Sequence, residues 1–440
     1  MTKSDKRKIA GLTERIEGDT MVWIIVLTLI LGSVVCMFSS TSRLLGPAQT
    51  RLDILEKHLI MVALGLLVIL ACYLIRDIKW FRMLSKWGFP VSFLLLVMLD
   101  VHVSTPAVEA ISTHGAYRIL KIFGLEIHVF EIVKVAMVMY LAWAQDALKK
   151  KELKWPVEGL RKKIFYIYAP FLLTFVLVLP GSNSSALLIG GIMFLVILLG
   201  GGNFKDLSIL LLSGIVALVL CFSAYKISDG KVFSRIGTGI SRTTGDSIDD
   251  LVRTAHDSRK GSVPWNNAID DLRQPYNALI AIHQGGLVGK GPGQSTQRYA
   301  VPAFSEDYMF SFIIEEYGLF GALIVIVLYV SLLARGAIIA RNSGDDLYAK
   351  LVVAGLCLLI TGQAFLHMLV NVDIGPMTGQ TLPLLSHGNS AFLCFCLAFG
   401  IILSFSRIAV KKIESETEAL EPLTPEENEN YDEFDDYGVQ

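Results

Sequence analysis

Residues 20–40 read TMVWIIVLTLILGSVVCMFSS, a run without a single charge. As a helix, a block of this length crosses a hydrocarbon core of roughly 30 Å. It follows a mixed charged stretch and carries no small-residue cleavage site. It therefore reads as a first membrane span that also directs insertion, rather than as a removed leader.

The rest of the chain repeats the pattern. Hydrophobic residues make up 53% of the 440, charged residues 18%, and mean hydropathy is +0.55. A soluble chain of this length needs more polar surface. The apolar residues also cluster in blocks of about 17–25, the length of a crossing. Ten blocks are predicted as spans: 20–40, 57–76, 87–103, 127–145, 165–181, 184–200, 206–227, 308–333, 348–372 and 391–410. The third is weak, interrupted by Asp100 and His102, and Pro180–Ser185 reads as a tight hairpin between the fifth and sixth. Lipid offers backbone groups no partners, so the blocks should be helices. The expected fold is an all-α polytopic membrane protein of about ten helices. Its segments are an N-terminal piece 1–18, a membrane domain 19–412 and a tail 413–440. The six cysteines all lie in apolar blocks, which argues against disulfides and metal ligation.

The short loops set the orientation. Lys3 to Lys8, Arg76 to Lys86, Lys149 to Lys163, Arg335 and Arg341, and Arg407 to Lys412 all fall on one side if there are ten spans. Their excess of Lys and Arg makes that side cytoplasmic. Both termini are then expected inside, with the acidic stretch Glu414–Asp436 as a disordered tail. The long loop 228–307 and the Gly/Pro-rich connection 373–390 face outward. Long loops of this kind usually carry function, so the machinery is expected outside, away from ATP.

Gln284–Gly293 holds five glycines in ten residues. It is neither a P-loop nor a dinucleotide fingerprint, because no Ser or Thr follows Lys290. The glycines form a plain turn or let backbone approach a ligand or a neighbouring helix, with Lys290 available to a phosphate. Asp307 opens the eighth span. It is a helix cap, a partly desolvated general base, or both. Glu315 and Glu316 lie one to two turns further in, as functional charges or as a buried structural pair. Glu131 and Lys134 share a face of the fourth span, as a structural salt bridge or as groups that shape a site. Arg118 precedes them, and its guanidinium can grip a phosphate bidentately. Asn371–Ser390 holds two prolines and three glycines, which forbid a regular helix. Broken backbone at a membrane edge survives where it is buried in protein or lines a cavity, so this segment is expected at a site.

Together these segments resemble the SEDS family (FtsW, RodA and SpoVE) over roughly residues 19–410. Asp19 and Ser39-Ser40 look like the family's opening. Gly115–Arg118 and His128–Glu131 with Lys134 resemble its NGARRW and QPSE-xxK segments, and Pro180–Ala186 its PDxGTA turn. Gln274–Gly293 resembles its glycine-rich stretch. Ala303–Phe310 is similar to its PExHTDFIF run, which places the family's catalytic Asp on Asp307. Glu315–Gly318 resembles its EExG. Asn371–Ser390 resembles its segment ending SYGGS, which reads Ser386-His387-Gly388-Asn389-Ser390 here. The His and Thr before the catalytic Asp are Ser305 and Glu306, and the Asp of PDxGTA is absent. The Met377–Leu384 run resembles the division branch more than the elongation branch.

The resemblance implies a peptidoglycan glycosyltransferase that polymerises lipid II. Asp307 is then the catalytic base, with Arg118, Glu131, Lys134, Lys290, Gln294, Glu315 and Ser386 as substrate-binding candidates. Arg118, Lys290 or a divalent cation such as Mg²⁺ would help the diphosphate leave. The implied partners are a class B penicillin-binding protein and other divisome membrane proteins, with no nucleic acid. The implied location is the bacterial cytoplasmic membrane. Rival readings are a flippase for a lipid-linked precursor, a non-catalytic scaffold and an elongation-type polymerase.

Overall fold

A computed structural model describes residues 17–40, 51–113, 116–155, 159–228, 237, 248–301, 304–375 and 377–418. The chain opens with α1 Thr20–Ser40, α2 Arg51–Leu74, α3 Ile78–Lys86 and α4 Gly88–Asp100. Next comes an antiparallel sheet of β1 Val108–Thr113, β2 Ala116–Ile122 and β3 Leu125–His128, in that order. It leads into α5 Val129–Lys149, α6 Gly159–Lys163, a π turn, α7 Ala169–Val178, α8 Asn183–Leu199 and α9 Phe204–Ile227. The long loop contains α10 Ile248–Asp257, α11 Val263–Leu272 and α12 Pro275–Gly285. The last three helices are α13 Met309–Asn342, α14 Leu347–Asn371 and α15 Asn389–Glu418.

Every apolar block is helical near its predicted place. By length and composition, however, six helices among the described residues can cross a membrane: α1, α2, α9, α13, α14 and α15. The pair α3 and α4, bent by 40°, makes a seventh if counted as one span. The predicted ten is not reached on this measure, for local reasons. α5 carries Glu131, Lys134, Asp146 and Lys149, α8 has 17 residues, and the π turn Ile164–Tyr168 splits the stretch before α7. The sheet is an addition to the predicted helical pattern. Its β2 and β3 read as strand, Phe123-Gly124 turn and strand, a short-range signal in the stretch between the predicted spans 87–103 and 127–145.

Leu67, Leu70, Leu211, Leu212 and Leu220 on α2 and α9 are exposed, a face suited to lipid. Between helices, lipid gives no hydrophobic drive, so close packing must hold them. α15 lies along α2 and α13 along α14. Small residues permit the first contact: a Cβ on Gly65 would stand 2.6 Å from Cys396 Sγ, and one on Gly400 2.8 Å from Cys72 Cβ. All six cysteines are free thiols.

Residues of the basic loops gather at one end. Arg335 donates to Asp19 Oδ2 at 2.8 Å, Arg407 to the Ile75 carbonyl at 3.0 Å, and Arg82 pairs with Asp146 and Glu152. At the other end of α1, Ser39 meets Gly293 and Glu316, and Ser390 meets Glu126 of the sheet. α13 is kinked at Gly318 (φ 68°, ψ −170°). Glu315 and Glu316 precede the kink, and the part after it is long enough to span alone. α15 continues to Glu418, past the expected domain boundary at 412. Residues 1–16 and most of the predicted disordered tail lie outside the described residues.

Candidate active site

Residues 304–308 form a turn ahead of α13, whose N-cap position is Tyr308. The first-turn amides are met from α14: Phe310 donates to His367 Nε2 at 3.3 Å and Ser311 to Asn371 Oδ1 at 2.9 Å. The cap therefore comes from a neighbouring helix, and the Asp307 side chain lines a cavity instead. Three bonds fix its backbone. Asn371 Nδ2 donates to the Asp307 carbonyl at 3.0 Å, Ser386 Oγ to the Glu306 carbonyl at 2.7 Å, and the His387 amide to the Ser305 carbonyl at 2.8 Å.

The cavity measures about 360 Å³. Asp307, residues 379–381 and residues 387–391 form one side. Arg118 of β2, Glu126 and His128 of β3 and Glu131 of α5 form the other, and Ser182 and Ser185 close it from the α7–α8 hairpin. Arg118 Nε donates to the Gly181 carbonyl at 3.0 Å, which ties the sheet to that hairpin. Of the charged lining groups, four are carboxylates (Glu126, Glu131, Glu306, Asp307) and one is a guanidinium. An anionic ligand therefore meets repulsion everywhere except beside Arg118 and the neutral donors.

Lys134 sits beneath the cavity, 2% exposed. Its ammonium donates to Glu131 at 2.7 Å, Gln363 at 2.6 Å and Gln380 at 3.0 Å. Gln380 in turn donates to Ser185 Oγ at 2.9 Å, and its carbonyl accepts from His367 Nδ1 at 2.8 Å. The salt-bridge reading and the site-shaping reading thus describe one network. Lys134→Met leaves three acceptors facing no donor. It should cost about 3–5 kcal/mol, read as a lowered melting temperature in detergent. Melting at the wild-type temperature would contradict this network.

The remaining candidates fall elsewhere. Lys290 pairs with Glu315 at 2.6 Å, and Glu315 also accepts from Ser295 and from the Thr296 amide at 2.9 Å. Glu316 accepts from Ser39 Oγ at 2.6 Å. Both glutamates are buried and partnered, which matches the structural-pair alternative. Gln294 is exposed beside them, and none of Lys290, Gln294 and Glu315 lines the cavity. Ser386 is a buried brace under the Asp307 turn. The glycine stretch approaches a helix. Lys290 and Gly291 amides donate to the Glu315 and Glu316 carbonyls at 2.9 Å, and Leu319 donates back to Gly286 at 3.0 Å.

Sequence reading passed over Glu126, Gln363, His367 and Gln380. Gln363 and His367 left a signal: polar side chains one turn apart inside an apolar helix. Gln380 lies in the broken Asn371–Ser390 segment expected at a site, whereas Glu126 left no signal, since only tertiary contact brings it to the cavity. Among the described residues, no group of three or more His, Cys, Asp or Glu could hold a metal ion. The donor set therefore does not fit a protein-built cation cage.

Burial lowers the pKa of His387, and burial is the largest cause of the same shift in His128, opposed by Glu131. The fold thus favours both as neutral rings, while the unfolded chain takes up protons near pH 6.5. Protons then bind the unfolded state more readily, so stability should fall as pH drops below about 6.5. Melting curves in detergent from about pH 7.5 to about 5.5 check this; a rising melting temperature on acidification would contradict it.

A family model described as cell cycle protein, covering FtsW, RodA and SpoVE, matches residues 19–411. The chain belongs to that family. Stage V sporulation protein E of Bacillus subtilis (strain 168) is 26% identical over 404 residues, covering 90% of this chain and 98% of that protein. A probable peptidoglycan glycosyltransferase FtsW of Methylomonas methanica is 30% identical over 353 residues, covering 79% and 81%. In fold, the chain is similar to one from a peptidoglycan synthase complex that coordinates polymerization and crosslinking (TM-score 0.59, 20% identity, 89% of this chain and 98% of that one). It is also similar to the Thermus thermophilus rod shape determining protein RodA (TM-score 0.55, 19% identity, 90% and 98%). The fold is thus that of a FtsW/RodA/SpoVE multi-pass membrane protein.

Proposed function

We propose that this chain is a peptidoglycan glycosyltransferase that joins lipid II units into glycan strands at the outer face of the bacterial cytoplasmic membrane. One observation carries the reading. Asp307, braced by Asn371, Ser386 and His387, shares a membrane-edge cavity with the Arg118 guanidinium. Relatives named as probable peptidoglycan glycosyltransferases support it.

Asp307 takes the proton from the acceptor's 4-hydroxyl while that oxygen attacks the donor's anomeric carbon. The bond from that carbon to the diphosphate breaks, and its electrons leave on the diphosphate oxygen. Arg118 stabilises the charge that develops there. Lys134 acts through others, holding Glu131 and Gln380 in the cavity wall. Lys290, Glu315 and Gln294 lie outside the cavity, where the Lys290–Glu315 pair holds the glycine stretch against α13. A divalent cation would add charge neutralisation at the diphosphate, and the described residues offer it no cage of their own.

The basic loops support cytoplasmic termini, with membrane domain 19–412 between the end segments. The Met377–Leu384 run and the relatives named FtsW support septal synthesis rather than elongation. The likeness to a synthase-complex chain supports a class B penicillin-binding protein as partner, within a divisome assembly. The protein purified with that transpeptidase is given lipid II, and glycan chains are resolved on a gel. Lipid II transfer across liposomes is measured in parallel. Chains support the proposal; transfer without chains replaces it with a flippase.

A further inference from the structure

We propose that His387 is a substrate-binding residue whose Nε2–H donates a hydrogen bond to the diphosphate of the lipid-linked substrate. This rests on the glycosyltransferase reading of the cavity. His387 lines the same cavity as Asp307 and Arg118. Its amide donates to the Ser305 carbonyl at 2.8 Å, so its backbone is fixed relative to the Asp307 turn. Among the described residues its Nδ1 is buried without a hydrogen-bond partner. A proton there would have no acceptor among the described residues, which favours the tautomer protonated on Nε2 and makes that group the ring's donor to the cavity.

The charge pattern selects the ligand. Glu126, Glu131, Glu306 and Asp307 suit sugar hydroxyls, which can donate to them, and repel a diphosphate. The diphosphate needs donors that carry no negative charge, and Arg118 supplies one. Burial keeps the His387 imidazole neutral, so its N–H serves an anion without forming an ion pair that would draw the Asp307 carboxylate away from its task. The resemblance pattern has a tyrosine here, in SYGGS. Tyrosine and histidine share a flat ring with a polar donor at its edge, so the exchange preserves the donor.

The test compares His387→Phe, which removes the donor, with His387→Tyr, which restores one. In the protein purified with its transpeptidase, the KM for lipid II and the inhibition constant of added polyprenyl diphosphate are measured. A hydrogen bond to a charged group predicts that His387→Phe raises both by about tenfold or more, with a smaller change in kcat. His387→Tyr should return both towards wild type. An unchanged inhibition constant in His387→Phe, with normal melting, overturns the proposal. So does equal impairment of both variants. If wild type builds no glycan, the glycosyltransferase reading fails on its own account. Direct binding of radiolabelled polyprenyl diphosphate to wild type and His387→Phe then still decides the histidine's role.

Discussion

Asp307→Ala is expected to abolish glycan polymerisation while leaving the protein folded. Removing a positioned general base typically costs about 10²–10⁴ in rate. Folding should survive because the fold holds this residue by its backbone. Asn371 binds its carbonyl, and the N-terminal amides of α13 are met by Asn371 and His367. Asp307→Asn should lose as much, because it keeps the shape and removes the basicity. The measurement is glycan chain formation from lipid II with the transpeptidase present, beside a melting curve for each variant. Chains from Asp307→Ala at the wild-type rate would remove this residue from the mechanism. Loss of both chains and melting transition in Ala, with Asn folded and inactive, would still locate the loss in the carboxylate.

The second large effect concerns stability. Gly318→Ala should destabilise the protein by about 3 kcal/mol or more, because two costs coincide. Gly318 has φ 68° and ψ −170°, a region essentially closed to side chains. A Cβ there would stand 2.3 Å from the Leu287 carbonyl oxygen and 2.5 Å from the Gly289 nitrogen. Neither can yield without breaking the bonds from Lys290 and Gly291 to Glu315 and Glu316. The turn bearing Asp307 leads directly into this piece of α13, so activity should fall with stability. Gly214→Ala is the control, because a Cβ at Gly214 meets nothing within 4 Å. Equal melting temperatures for the two variants would show that the kink is not held as described.

Much of this protein was legible in its sequence, and the reasons are local. An apolar run must be helical in lipid, so the blocks marked the helices, and the broken Asn371–Ser390 segment marked a cavity wall. The helix count was less legible. α5 is legible as the block 127–145, yet its four charges keep it out of the helices that pass as spans by composition; Lys134 and Asp146 among them are met by partners on other helices, which no window of hydropathy can see. The sheet was not legible because its three short strands lie almost wholly between the predicted spans 87–103 and 127–145, where no apolar block marks them.

The candidate residues divide in the same way. Asp307, Arg118 and Glu131 meet at the cavity, as their family-like segments implied, while Lys290, Gln294 and Glu315 gather at the kink of α13. Sequence offered the same charges in both places and could not sort them. Lys134 meets Gln380 across 246 residues, and Ser386 meets Glu306 across 80. Periodicity and charge act over a few residues, so the sequence alone determined helices, basic loops and the family. Which side chains share a cavity depends on how distant helices register against each other. Only the packing of α5, α13 and α14 on one another, with α4, α5 and α15 against the sheet, decided that Asp307 and Arg118 share a cavity.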